Sequence, residues 1–93
     1  MRKIGTIRDL TKEAFNGADV KFHFITNTGE TSSNWWYITK SKIGLVKKSN
    51  CSTDFVVPIW ETNYEEYLKV CLDALKREIQ IDANESSIVE LIV

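Results

Sequence analysis

Ninety-three residues, 43% hydrophobic and 27% charged, suit one folded domain over residues 1–93 and argue against disorder. The net charge of −1 hides a split. Residues 1–30 carry five bases and four acids, 31–53 four lysines and no acid, and 54–93 nine acids and three bases. Charges in Met1-Arg2-Lys3 and Arg8-Asp9 leave no apolar core for a secretory signal, and no apolar run nears the roughly 18 residues of a membrane span. A cytoplasmic, non-membrane protein is therefore expected.

Thr6 is a good helix cap, and Asp9 three residues later completes a capping box. Ile7, Leu10, Ala14 and Phe15 then recur at helical spacing until Asn16-Gly17 supplies a stop. From Val20 the period becomes two, with Val20, Phe22 and Phe24 on one side of a strand and Lys21, His23 and Ile25 on the other. Asn27-Thr28-Gly29-Glu30 is turn chemistry. A second strand follows at Trp35-Trp36-Tyr37-Ile38-Thr39 and a third at Ile43 to Lys47, where Gly44 suggests a bulge. Asp54 to Trp60 reads as a fourth strand. Its Pro58 lacks a donor and belongs at a sheet edge or strand end.

Thr62-Asn63-Tyr64-Glu65 reads as a second capping box. Tyr64, Tyr67, Leu68, Cys71, Leu72, Leu75 and Ile79 form one apolar stripe, which predicts a helix from 63 to about 79. Opposite the stripe, Glu65, Lys69, Asp73 and Arg77 follow one another at four-residue spacing along a wet face. Ile88 to Val93, dense in β-branched residues, reads as a last strand, with a short helix capped by Ser87 and Glu90 as the alternative. Only Glu90 breaks its apolar run, so it must lie centrally in the sheet or pair across a homodimer. The expected fold is α+β, an antiparallel sheet of four to five strands with two helices packed on one face.

Little in the chain points to chemistry. His23 is the sole histidine and reads as a side chain on the half-exposed face of a strand. Cys51 sits in a polar loop and Cys71 on the apolar stripe; both are expected as free thiols in a reducing compartment. A pairing of His23 with either cysteine has no local signature. One histidine and two distant cysteines do not make a zinc set, and Gly5, Gly17, Gly29 and Gly44 are too isolated for a phosphate loop. Glu65 and Glu66 point about 100° apart on a helix and form no acid pair. No catalytic residue, metal site or cofactor is therefore expected.

Two binding readings remain. In the first, the acidic half docks on a protein partner through Glu65, Glu66 and Asp73, as small phage or mobile-element inhibitors of this size and charge character do. That is a likeness of type, with no motif behind it. A merely solvated helix face has the same pattern. In the second, Trp35, Trp36 and Tyr37 stack bases while Lys40, Lys42, Lys47 and Lys48 follow phosphates. Alternation must turn one of Trp35 and Trp36 into the core and leave the other on the opposite face.

Overall fold

The computed structural model describes residues 2–25, 35–46, 53–78 and 82–93, with backbone alone for 53–55. The elements run β1 (Arg2–Thr6), α1 (Ile7–Phe15), β2 (Val20–Phe24), β3 (Trp35–Thr39), β4 (Lys42–Val46), β5 (Thr53–Pro58), α2 (Tyr64–Glu78) and β6 (Ile88–Ile92). Among the described residues every strand joins one antiparallel sheet in the order β1-β6-β2-β3-β4-β5.

The α+β class and the antiparallel sheet agree with the sequence reading, but the sheet has six strands where four to five were expected. The unforeseen strand is β1. Its only large apolar residue, Ile4, is 60% exposed, so the segment carries no alternating signal. It exists because it pairs with β6 from Arg2↔Ile92 to Thr6↔Ile88, a partner at the far end of the sequence. β6 itself is a strand, held between β1 and β2. Both of its edges are taken, so it forms no dimer seam through backbone pairing.

Alternation sorts the sheet into two faces. Val20, Phe22, Phe24, Trp36, Ile38, Ile43, Val89 and Leu91 point to one side and are buried with Ile7, Leu10 and Ala14 of α1 and Tyr67, Leu68, Cys71, Ala74 and Leu75 of α2. Phe15 ties the two helices, with its ring edge-on to Tyr64 at 5.7 Å and to Tyr67 at 5.2 Å. The Tyr67 hydroxyl donates to the carbonyl of Thr39 at 2.7 Å, which satisfies the one polar atom of a buried ring.

The Thr6–Asp9 capping box forms as read, and Gly17 adopts the positive φ of 109° that stops α1. The α2 cap is displaced by one residue. Asn63, not Thr62, accepts from the N–H groups of Glu65 at 2.9 Å and Glu66 at 3.3 Å. Gly44 makes no bulge and pairs regularly with Tyr37 and Val56; the register shifts between Leu45 and Val46 instead. Pro58 does end an edge strand. Cys71 is buried and free, and burial pushes its thiol up to about 12. Cys51 and Ile79 lie outside the described residues.

Candidate functional site

Among the described residues no helix covers the second face of the sheet. Register places Arg2, Ile92, Lys21, Tyr37, Gly44 and Val56 in one row across it, and Ile4, Glu90, His23, Trp35 and Val46 in the next. The tryptophan pair divides as alternation demands. Trp36 is in the core at 1% exposure, and Trp35 is half-buried on the second face beside Tyr37.

His23 is better hidden than a half-exposed strand face predicts, at 5% exposure. Its ring lies flat against Trp35, centroids 3.8 Å apart and planes 11° apart, and its Nε2 is 2.7 Å from Glu90 Oε1. Arg2 Nε reaches the same carboxylate oxygen at 3.7 Å. His23 Nδ1 is buried and has no hydrogen-bond partner among the described residues. Cys71 projects to the helix side of the sheet and His23 to the other, so the sheet separates the two groups that a thiol–imidazole pair would need together.

The aromatic residues attract the nearby cations. Lys21 Nζ lies 5.0 Å from the Trp35 ring centroid, and Lys42 Nζ lies 5.9 Å from that of Tyr37. Burial first, then a hydrogen bond to Asp19, raises the Tyr37 hydroxyl above its ordinary pKa. The residues proposed for nucleic acid are therefore only partly brought together. Trp35, Tyr37 and Lys42 share this face, whereas Trp36 is core and Lys40 packs its Nζ 5.1 Å from the Phe15 ring. Lys47 and Lys48 lie outside the described residues. Lys21 was missed, although its place in the alternating run Val20 to Phe24 already set it opposite the core.

The acidic residues of α2 are less uniform than the sequence implied. Arg8 bridges Glu65 at 3.3 Å and Glu85 at 2.7 Å, and those two carboxylates hold its guanidinium pKa above the usual range. Glu65 and Asp73 line a shallow depression of about 350 Å³ together with Lys69 and Lys76, while Glu66 points elsewhere. A further surface feature is Trp60, 82% exposed in the segment between β5 and α2. Glu61, Glu65 and Glu66 lie within six residues of it, all exposed and with no base among positions 60–66.

Both sheet edges are blunted. Ile7 N–H donates to Ser87 across the β1–β6 ladder, so alternation turns the N–H of Thr6 to the free edge, where the Asp9 carboxylate takes it at 3.0 Å. At the far edge Ile59 N–H donates to Ser41, which turns position 58 outward, and proline has no N–H to offer there. Among the described residues no set of three or more metal-ligating side chains gathers, and no helix is long and apolar enough to cross a membrane. The chain matches no known family model, no curated protein and no solved structure.

Proposed function

We propose that this chain is a binding protein rather than an enzyme, and that it docks on a basic surface of a protein partner. The observation that supports this reading most is Trp60, whose indole is 82% exposed at the head of an acidic segment. Tryptophan is among the residues most enriched at interface hot spots. Covering roughly 150 Å² of such a ring is worth about 4 kcal/mol at 25 cal/mol per Å², before the costs of association. Glu61 and Glu66 follow it in sequence without an ion pair among the described residues, and would meet arginine or lysine on the partner. Glu65 contributes less, being held by Arg8, and Asp73 lies between Lys69 and Lys76.

An alternative role for the acids is local. Glu65 and Glu66 in the first turn of α2 favour its dipole by about 0.3–1 kcal/mol. That accounts for two carboxylates but not for the bare indole. The test is cross-linked capture from a host lysate by the full chain and by Trp60→Ala and Glu61→Lys/Glu66→Lys variants, with contact sites mapped by mass spectrometry. A single partner cross-linked at 60–66, with affinity falling at least about 30-fold in Trp60→Ala, is expected for a 2 kcal/mol anchor. Capture unaffected by both variants would remove the reading.

A further inference from the structure

The face of the sheet opposite the helices brings aromatic and basic side chains together. We infer that it binds single-stranded DNA, with Trp35 and Tyr37 as stacking surfaces and Arg2, Lys21 and Lys42 as phosphate contacts. This goes beyond the protein-docking reading, since it uses the other side of the sheet and none of residues 60–66.

Trp35 and Tyr37 are two residues apart on β3, so their side chains leave the same face about 6.7 Å apart along the strand. That is twice the rise of about 3.4 Å per nucleotide in a stacked duplex strand. Two bases can therefore sit on successive rings only if the strand is single and opened out. Trp35 is also backed by its parallel contact with the His23 ring, and His23 is in turn fixed by Glu90. The indole is thus held in place before any ligand arrives, which lowers the ordering cost of binding.

The lysine above each ring does not block it. A base stacked on an aromatic side chain contributes more than an exposed cation–π contact does. A base displaces the ammonium, and the freed Lys21 or Lys42 is left beside the phosphate that follows. The acids near these groups are already engaged. Glu90 is shared by His23 and Arg2, and Asp19 bonds the Tyr37 hydroxyl. Around the rings, Ile92, Val46, Gly44 and Val56 offer no side-chain hydrogen bond to a ribose 2′-hydroxyl, and the donors beside them, Arg2, Lys21 and Lys42, are assigned to phosphates. That favours DNA over RNA.

The experiment is fluorescence anisotropy of a labelled oligothymidylate of about ten nucleotides, a length within the usual range for one small binding domain. Binding at 50 mM salt should weaken roughly 20-fold by 200 mM, the slope for three phosphate contacts on a single strand. Trp35→Ala and Tyr37→Ala should each weaken it at least about fivefold. Trp35→Phe should retain most of it, and Lys21→Glu with Lys42→Glu should flatten the salt slope. Trp60→Ala should leave it unchanged, which separates this site from the protein-docking reading. Circular dichroism of each variant establishes that it is folded. No binding at 50 mM salt, unaltered binding in folded Trp35→Ala, or equal or tighter binding of oligouridylate would overturn the inference.

Discussion

Trp35 and Trp36 are chemically identical neighbours with opposite positions, and stability should distinguish them. Trp36 is fully enclosed between β2, β4 and the helices, so Trp36→Ala leaves a cavity and should cost about 3–5 kcal/mol in urea unfolding. Trp35→Ala loses a stacked contact and exposes His23, and should cost about 1–2 kcal/mol. Equal losses would mean that the two faces are equally buried. Glu90 gives a second test at this scale. Removing its carboxylate leaves Nε2 of a buried imidazole without a partner, so Glu90→Ala should destabilise by about 1–3 kcal/mol. The sequence showed that one tryptophan must turn outward but not which one. That depends on the register of β3 against β2, which pairs Phe22 with Trp36. His23 was misread for the same reason, because both groups that hide it come from other strands.

Helix caps are local, and the sequence displayed most of what they need. The Thr6–Asp9 box was legible because all of its donors and acceptors lie within four residues. At α2 two eligible caps stand side by side, and the one that forms is Asn63 rather than Thr62. Asn63→Ala should therefore cost about 1 kcal/mol, and Thr62→Ala no more than about 0.5 kcal/mol. The first box also carries a pH signature. Hydrogen bonds from the backbone N–H and hydroxyl of Thr6 hold the Asp9 carboxyl below its ordinary pKa. A carboxyl depressed in the folded state stabilises fully above its unfolded pKa, near 3.9, and loses that contribution as pH falls through the lower folded value. Asp9→Ala should thus be less stable than the parent by about 1 kcal/mol at pH 7, with the gap closing below about pH 4. A gap constant down to pH 2 would show that the charge plays no part.

The sheet order joins the two ends of the described chain, and this was the part least visible beforehand. The lack of polar positions in β6 called for a central place or a partner across a dimer, yet nothing local announced that Arg2–Thr6 would flank it. An edge strand with one exposed isoleucine has no pattern of its own and is held by its neighbour. The two sides of β6 should therefore differ in stability. Ile7 N–H donates to Ser87, and register makes Gly5–Val89 and Lys3–Leu91 the hydrogen-bonded pairs toward β1. Ile25 N–H donates to Ile88, so Glu90 and Ile92 bond toward β2. β1 contributes little buried apolar surface, and an opening that peels it away costs less than global unfolding. Native-state hydrogen exchange along β6 should then alternate: the amides of Glu90 and Ile92 exchange only with global unfolding, and those of Val89 and Leu91 exchange through a lower-energy opening. Leu91→Ala, which truncates a core side chain, should lower the global limit by about 2–5 kcal/mol and draw the two sets together. Uniform protection along β6 in the parent would instead show that β1 opens only with the whole sheet.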